Sequence, residues 1–317
     1  MKLLITCPKF FGYEELIKDE AEKLGYSTTL IDDRLGLNFL QQAKLRKNIS
    51  TKKTALKVLS NFRHILKLEE YDHWLCINPE GINYEVIKFI STKVANKKII
   101  YCWDSLTNKK NISSILNLFD VKYSFDTNDC TTYNLEHLPL YFSNHYSSKE
   151  RSSHDNNIYI TGTVHSDRFK IIDTLSEKGF KIDYRLYSKN YLFTFYFLLK
   201  GVIPFKYLKY ISYSSLTHKS ISSIYKKYNF ILDISHPLQS GLTNRTFEVL
   251  ASGCSLITTN ENIKNYNFYD KSHIFILKRD YSNINDLKNW MISTKGLDNK
   301  INMQDYTLSN WLKKILN

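Results

Sequence analysis

The sequence is poor in the residues that mark loop-rich, cross-linked or repetitive proteins. Its 317 residues include only ten Gly, five Pro and five Cys. So little Gly and Pro excludes a collagen-like or linker-type chain. A chain of this length buries about 75% of its unfolded surface and needs no disulfides to fold. A prior of roughly 150 residues per domain predicts two domains.

Recognisable cysteine and metal motifs are also missing. The cysteines are odd in number, far apart and mostly within apolar strand-like runs, so we expect reduced, buried thiols instead of disulfides or a zinc site. The chain has no HExxH motif, no DxD-like pair and no His-rich cluster, and we therefore expect no metal. The five cysteines are Cys7, Cys76, Cys102, Cys130 and Cys254.

No apolar run is long enough to span a bilayer. Residues 1–10 lack the apolar core and cleavage pattern of a signal peptide, so the sequence predicts a cytoplasmic protein. The longest apolar stretch, Tyr191 to Phe205, contains Lys200 and Pro204 and falls short of the ~20 residues that a spanning helix needs. Two interpretations remain: a buried or domain-covering helix, or an aromatic surface that enters the headgroup layer beside flanking lysines.

Acidic residues are too few to balance the basic ones. Lys and Arg number 44 against 31 Asp and Glu, which gives a net charge of +13. Nucleic acid is not expected as a partner, because no zinc-finger spacing, RNP-like motif or basic coiled-coil pattern is present. Residues 44–67 hold eight basic residues and no acid. Their apolar residues recur at helical spacing, which predicts a helix that either faces anionic lipid or phosphate or is simply solvated.

Short β-rich runs alternate with helical patterns along the whole chain. This alternation predicts parallel sheets built from βαβ units. The predicted strands of the first half are Lys2 to Thr6, Ser27 to Asp32, His73 to Ile77, Lys98 to Trp103 and Val121 to Phe125. Those of the second half are Ile158 to Thr161, Lys181 to Tyr187, Phe230 to Ile234, Ser255 to Thr258 and His273 to Leu277.

A polar, Ser-rich segment at residues 139–157 separates the two halves and is the best linker candidate. The sequence therefore predicts an α/β chain with two Rossmann-like, doubly wound domains that face a central cleft. Their predicted bounds are residues 1–145 and residues 155–317. The last predicted helix, Tyr306 to Leu316, is a candidate to cross back onto the first domain.

The sharpest local signal lies between Phe230 and Asn260. A predicted strand ends near Asp233, a loop containing Gly241 follows, and Thr243 stands where a helix N-cap belongs. Such a loop, at the carboxyl end of a parallel strand, offers free backbone N–H groups to an anion. Arg245, in the first helical turn, adds a planar cation that fits diphosphate oxygens.

Glu248 lies three residues after Arg245, on a helix face that we expect to be exposed. A carboxylate one turn deeper than a phosphate site is placed to accept the hydroxyls of a ribose. The alternative is a functionally silent surface pair of Arg245 and Glu248 at i,i+3, worth only ~0.3 kcal/mol.

This region resembles the nucleotide-sugar half of a GT-B fold glycosyltransferase, particularly the spore-maturation-protein-like branch and its lipopolysaccharide and capsule biosynthesis relatives. Residues 101–111 and 119–130 are similar to that branch's first domain. The residues that carry the resemblance are Gln239, Gly241, Leu242, Thr243, Arg245, Glu248 and Gly253.

The resemblance implies sugar transfer from a nucleotide sugar with no required metal or other cofactor. It implies that Thr243 and Arg245 bind the diphosphate and that Glu248 binds the ribose. Many relatives carry an acid where this chain has Gly241. Recognition of the sugar hydroxyls must then fall to other residues, for which His236 and Gln239 are candidates.

A second anion site is predicted where Arg168 opens a helix after the strand that ends near Gly162. Related enzymes place a basic residue there, over the donor diphosphate. The alternative is an ordinary helix start capped by Ser166, and the nearby loop residue His165 has a weaker claim.

Transfer with inversion needs a base, and Asp104 is the first candidate because it follows the strand Lys98 to Trp103. An N-cap role for Asp104 is the alternative. Asp126 and Asp129 are in reserve and are expected to act as caps.

The sequence thus predicts a transferase that closes its domains on a nucleotide-sugar donor and a bacterial surface-glycan acceptor, which is a lipopolysaccharide, O-antigen or capsule precursor on a lipid carrier. Peripheral membrane contact is part of that expectation. Two alternatives remain: a sugar-nucleotide epimerase of the same architecture, or a basic scaffold that binds membrane or nucleic acid. A dehydrogenase is not expected, since no GxGxxG follows either first strand.

Overall fold

The computed structural model describes residues 1–47, 49–147, 155–164 and 167–317. The chain divides into two compact units. The first comprises residues 1–140 together with residues 308–317, and the second comprises residues 141–307. The change from the first unit to the second thus falls inside the polar segment at 139–157, and the final helix belongs to the first unit.

The first unit is a six-stranded parallel sheet in the order β2-β1-β3-β4-β5-β6. Its strands are β1 Lys2–Thr6, β2 Ser27–Ile31, β3 Tyr71–Ile77, β4 Val94–Cys102, β5 Val121–Ser124 and β6 Glu136–His137. Its helices are α1 Tyr13–Lys23, α2 Phe39–Arg46, α3 Lys52–Ile65, α4 Tyr84–Ser91, α5 Lys110–Ser113, α6 Thr127–Tyr133 and, from the end of the chain, α12 Leu308–Leu316.

The second unit is also a six-stranded parallel sheet, in the order β12-β11-β10-β7-β8-β9. Its strands are β7 Asp155–Thr163, β8 Ile182–Tyr187, β9 Ile211–Ser212, β10 Tyr228–Asp233, β11 Ser255–Thr258 and β12 Ile274–Ile276. Its helices are α7 Arg168–Glu177, α8 Tyr191–Leu199, α9 His218–Tyr225, α10 Asn244–Ala251 and α11 Ile284–Thr294.

These two sheets confirm the predicted α/β class with two Rossmann-like units. Counted within the second unit, the strand order is the 3-2-1-4-5-6 arrangement of dinucleotide-binding folds. The order reverses between β7 and β10 in the second unit and between β1 and β3 in the first. Ligands of open parallel sheets bind beyond the carboxyl ends of the strands at such reversals. The loops after these four strands are therefore the places to look for chemistry.

The basic segment at 44–67 is not the single helix that its spacing predicts. Helix α2 ends at Arg46 and α3 begins at Lys52. Thr51 starts the second helix, since its hydroxyl accepts a hydrogen bond from the backbone N–H of Thr54 at 3.2 Å. A hydroxyl that caps a new helix competes with continuation of the previous one.

The cysteines behave as expected for core residues. All five are free thiols; four are buried and Cys130 is half-buried. Burial raises the pKa of the Cys7 and Cys76 thiols well above their ordinary value, so both are unreactive at neutral pH.

The apolar stretch from Tyr191 to Phe205 forms α8 and a turn of 3₁₀ helix that begins at Phe205. Helix α8 is not buried, because Thr194 is its only buried residue, but it does cover part of its domain, since half-buried Phe197 packs against the core of the second unit. Among the described residues, every helix is too short or too polar to cross a membrane.

Candidate functional site

Asp233, the last residue of β10, organises the start of α10. Its side chain is only 1% exposed. One carboxylate oxygen, Oδ2, accepts hydrogen bonds from the hydroxyls of Thr243 at 2.7 Å and Thr246 at 2.9 Å. The other, Oδ1, lies 3.1 Å from Nη1 of Arg245. The buried carboxylate thus fixes both the N-cap residue and the cation of the first helical turn.

Thr243 is the N-cap residue of α10, as predicted, although its hydroxyl is donated to Asp233 and does not cap the helix. Asn244 beside it donates to the backbone carbonyl of Tyr141 at 2.9 Å. Hydrogen bonds to Asp233 and to the Tyr141 carbonyl therefore fix the start of the helix. Its backbone N–H groups provide the positive end of the helix dipole at the carboxyl edge of the sheet.

Arg168 spans the reversal in strand order. It donates through Nη1 to the carbonyl of Thr163 at the end of β7, at 2.5 Å, and through Nη2 to the carbonyl of Ile234 after β10, at 3.4 Å. Its Nε has no hydrogen-bond partner among the described residues. Burial, reinforced by the charge of Arg245, lowers the pKa of Arg168 below its ordinary value.

Arg168 and Arg245 meet at Gly162. A Cβ atom at Gly162 would lie 2.5 Å from Nη1 of Arg168 and 3.2 Å from Nη2 of Arg245. Arg168 is 5% exposed, whereas the Arg245 side chain is 18% exposed. Arg245 is therefore the cation of the pair that solvent reaches, and Arg168 lies beneath it. The nearby His165 and Ser166 lie outside the described residues.

The loop between β10 and α10 is fixed by amide side chains. Nε2 of Gln239 donates to the carbonyl of Gly241 at 2.9 Å. Nδ2 of Asn260 donates to the same carbonyl at 3.0 Å and to that of Ser240 at 3.2 Å. Leu242 is buried at 1% exposure. Gln239 and Leu242 thus shape the loop, and Leu242 offers a ligand only its backbone.

His236 lies in the same loop, half-buried, and its Nδ1 accepts from the backbone N–H of Leu238 at 3.3 Å. This bond closes a tight turn just after β10. The remaining ring nitrogen is the part of His236 that a ligand at this edge of the sheet would meet.

Glu248 is not on an exposed helix face, and the expectation that it shares one with Arg245 is wrong. It is 4% exposed. Its Oε1 lies 3.8 Å from Nδ1 of His218, the residue that begins α9, and the hydroxyl of Tyr146 lies 3.1 Å from the same nitrogen. The cause is the packing of α10, whose residues from Thr246 to Ala251 are all buried.

Arg279 of the second unit also belongs to this site, although the sequence did not single it out. Arg279 forms an ion pair with Asp167, the N-cap residue of α7. It also donates to the carbonyl of Ser235 at 2.5 Å and to Thr259 at 3.1 Å. Arg279 thereby joins the start of α7 to the loop after β10.

Asp104 lies in the first unit, beyond the end of β4. It exchanges two hydrogen bonds with Asn78, which follows β3: Nδ2 of Asn78 donates to Oδ2 of Asp104 at 3.0 Å, and the Asp104 N–H donates to Oδ1 of Asn78 at 3.2 Å. Asn78 has a left-handed φ of 43°. The next helix begins after Lys109, so Asp104 is not its N-cap.

Asp104 is exposed to solvent. Partial desolvation raises the pKa of its carboxyl above the ordinary value, while Lys109 and the Asn78 hydrogen bond oppose that rise. Lys109 is held in place by Glu80, whose Oε1 lies 2.8 Å from its Nζ. Arg34 pairs with the other oxygen of Glu80 at 3.1 Å.

Of the two reserve carboxylates, Asp126 is a helix cap, as expected, whereas Asp129 lies within α6 and is not a cap. Asp126 is the N-cap of α6 and accepts from the N–H groups of Asn128 and Asp129. Asp129 is buried and accepts from the N–H of Leu106 at 2.7 Å. Among the described residues, no three His, Cys, Asp or Glu side chains are grouped so that they could hold a metal ion.

No protein-family model and no curated protein matches the sequence. Solved structures do resemble it. A glycosyltransferase from Rickettsia africae has 16% identity and a TM-score of 0.60, covering 99% of this chain and 96% of that one. Anabaena HepE in complex with UDP and glucose has 10% identity and a TM-score of 0.59, covering 100% and 98%.

A UDP-GlcNAc 2-epimerase from Methanocaldococcus jannaschii has 13% identity and a TM-score of 0.53, covering 100% of this chain and 99% of that one. At these identities the likeness establishes the fold alone. The chain has the two-unit Rossmann-like fold of GT-B glycosyltransferases, which the epimerase shares.

Proposed function

We propose that the chain is a glycosyltransferase that moves a sugar from a nucleoside-diphosphate donor to a glycan acceptor. The observation that carries this proposal is the convergence of Arg245 and Arg168 on Gly162, at the reversal in strand order of the second sheet. Two guanidinium groups repel each other, and one buried carboxylate, Asp233, lies against Arg245. A diphosphate at this edge relieves the repulsion.

The departing nucleoside diphosphate gains charge as the glycosidic bond to it breaks. Cations and helix N–H groups that are already in place stabilise such a charge without reorganisation, and removing one donor of this kind typically costs about 10²-fold in rate. In this proposal Arg245 and the first turn of α10 contact the diphosphate. Arg168 raises the positive potential from beneath.

Asp104 is proposed as the base that removes the proton of the acceptor hydroxyl. A base is most effective when its pKa lies near the working pH, and the raised pKa of Asp104 moves it in that direction. The hydrogen bond that Nδ2 of Asn78 donates to Oδ2 orients the carboxylate.

The acceptor class that we propose is a bacterial surface glycan carried on a lipid: lipopolysaccharide, O-antigen or capsule. It is supported by the sequence resemblance around Gly241 to Glu248. Transfer without a metal or other cofactor, in the cytoplasm, completes the proposal. Full activity in EDTA is the expected result, and loss of activity in EDTA that Mg²⁺ or Mn²⁺ restores would contradict it.

A sugar-nucleotide epimerase is the second candidate, favoured by the likeness to the Methanocaldococcus jannaschii epimerase. The two activities differ in their need for an acceptor. An epimerase converts a free nucleotide sugar into an isomer with no acceptor present, whereas the proposed transferase leaves the donor sugar unchanged until an acceptor is added.

The direct test is thermal unfolding of the purified chain with UDP, GDP, TDP, CMP and their sugars. A nucleotide at 100 times its dissociation constant stabilises a folded protein by about 2.7 kcal/mol. We expect stabilisation by one nucleoside diphosphate and its loss in Arg245→Ala. No shift with any nucleotide would overturn the proposal and favour a non-enzymatic scaffold.

A further inference from the structure

Helix α8 of the second unit is a well-defined helix without a single charged residue. Asn190 caps it by accepting a hydrogen bond from the N–H of Phe193 at 2.8 Å. Thr194 ties it to the end of β8, since its buried hydroxyl donates to Ser188 at 2.8 Å. These contacts anchor the start of the helix to the second unit.

The apolar side of α8 faces solvent. The side chains turned inward are Thr194, which is buried, and Phe197 and Leu198, which are half-buried. At 3.6 residues per turn, the five most exposed positions fall within an arc of about 140°. These positions and their exposed fractions are Tyr191 (73%), Leu192 (78%), Phe195 (58%), Tyr196 (50%) and Leu199 (72%).

An ordinary surface helix directs polar residues to solvent and apolar residues inward. The outer side of α8 instead exposes apolar and aromatic residues to solvent. The segment that follows adds Phe205 and Tyr210, which are 77% and 45% exposed. We call these seven residues the aromatic surface. A concentration of large apolar side chains of this kind marks an interaction site.

The stretch of sequence that contains the aromatic surface carries positive charges only. From Tyr184 to Leu232 there are eight Lys or Arg and no Asp or Glu. Nζ of Lys200 lies 6.0 Å from the ring centre of Tyr196, and Nζ of Lys209 lies 4.8 Å from that of Tyr210. Of the acids on neighbouring elements, Asp173 of α7 forms an ion pair with Lys206 at 2.6 Å.

We propose that the aromatic surface inserts into the headgroup layer of an anionic bilayer. An in-plane helix with Phe and Leu on one side, Tyr at its edge and Lys around it has the composition of an interfacial anchor. Nine residues make a helix about 14 Å long, which lies in the interface and does not cross it. Each lysine near an anionic leaflet adds about 1 kcal/mol of attraction.

The main alternative occupant is a second copy of this chain. Two copies meeting at this surface would bring two acid-free, lysine-bearing segments together, and their repulsion opposes such a dimer. An anionic lipid layer complements the same charge. The proposal stands independently of the donor site, because none of its residues belongs to the site at Asp233, Arg168 and Arg245.

The test is flotation of the full chain with vesicles of phosphatidylcholine alone or with 30% phosphatidylglycerol, a composition chosen to give roughly the negative surface potential of a cytoplasmic leaflet. We expect binding to the anionic vesicles at low salt and much less to the neutral ones. Leu192→Ser with Phe195→Ser should reduce binding at least tenfold, since burial of each such side chain contributes about 1.5–3 kcal/mol. Lys200→Gln with Lys209→Gln should weaken binding to anionic vesicles only.

The matched control is Ile292→Ser with Leu297→Ser, two residues of the same unit that are 67% and 53% exposed outside the aromatic surface. This control should bind vesicles as the unaltered chain does. Unchanged vesicle binding by the α8 variant would overturn the proposal. Equal binding to neutral and anionic vesicles would overturn its electrostatic part. A lipid-free dimer that the α8 substitutions dissociate would assign the surface to a second copy instead.

Nucleotide-induced thermal stabilisation of the α8 variant separates the two proposals. Nucleotides should stabilise the α8 variant as much as they stabilise the unaltered chain. Loss of vesicle binding would then not count against the donor site, and loss of nucleotide binding in a donor-site variant would not count against the membrane proposal.

Discussion

Nη1 of Arg168 and Nη2 of Arg245 lie against the same backbone position, Gly162, at 2.5 Å and 3.2 Å from where a Cβ atom would be. Because glycine has no side chain, the two guanidinium groups occupy the space that a side chain at position 162 would fill. The position of both positive charges therefore depends on an uncharged residue, Gly162.

Gly162→Ala should therefore weaken nucleotide binding without removing a charge. The added methyl group displaces the flexible end of Arg168 and also strains the backbone, because the φ of Gly162 is 157°. We expect about a tenfold loss of affinity for the nucleoside diphosphate, comparable to one weakened charge-assisted hydrogen bond. Titration calorimetry measures it. A parent-like affinity would show that the position of these guanidinium groups does not matter to the ligand.

Arg245→Ala should lower the turnover of sugar transfer by about 10²-fold or more, because it removes the cation that solvent reaches. Arg245→Lys keeps the charge but not the planar fork, and should recover only part of the loss. Initial rates with saturating donor and acceptor are the measurement. The assigned role is refuted if Arg245→Ala transfers sugar at the parent rate.

Asp104 should determine the acidic limb of the pH–rate profile. Its raised pKa means that it becomes protonated, and inactive as a base, at a higher pH than an ordinary aspartate. Asn78 stabilises the charged form, so Asn78→Gly, which tolerates the left-handed backbone, should move the acidic limb to higher pH. Lys109→Gln should move it in the same direction.

Asp104→Asn is the control for that profile, and it should lower the rate by about 10²–10⁴-fold. A profile of Asn78→Gly that coincides with that of the unaltered chain would remove Asp104 from the role of base.

Asp129 should make the chain less stable as the pH rises through the mildly acidic range. Burial raises the pKa of its carboxyl from 3.8 to about 6, so the folded chain holds this proton more tightly than the unfolded one. The stability that it contributes is complete below its unfolded pKa and is lost as the pH rises through about 6.

Asp129→Asn removes this titration. Between pH 4 and 6 its unfolding free energy should fall less steeply than that of the unaltered chain, by up to about 1.4 kcal/mol per pH unit. Urea unfolding at a series of pH values provides the comparison. Parallel curves would mean that the Asp129 carboxyl titrates alike in the folded and unfolded chains.

The sequence predicts the sheets well because their strands are buried apolar runs with clear ends. Strands β1 and β11 have the predicted bounds. The two-residue strands β6 and β9 escape detection, because so short a strand leaves no period to observe. The sequence leaves a buried and an exposed α8 open, because hydropathy records how apolar a segment is and not which way it faces.

The sequence predicts the strand end, loop and N-cap at the start of α10 but not the side-chain contacts that hold them together. Thr243 and Arg245 follow a recognisable strand, loop and N-cap, which are local in sequence. The role of Asp233 depends on three partners ten or more residues away, and that of Arg279 on Asp167, 112 residues away. Contacts of this range arise only when the sheet assembles.

Helix α12 gives the first unit an unusual dependence on distant residues. It packs on α1, the ring of Trp311 lies edge-on to Tyr101 at 4.8 Å, and Lys97 donates to the backbone carbonyl of Asn317. During synthesis on the ribosome, residues 1–140 are made first, but their packing is complete only after residues 308–316 have been added. The second unit, residues 141–307, can fold before that point.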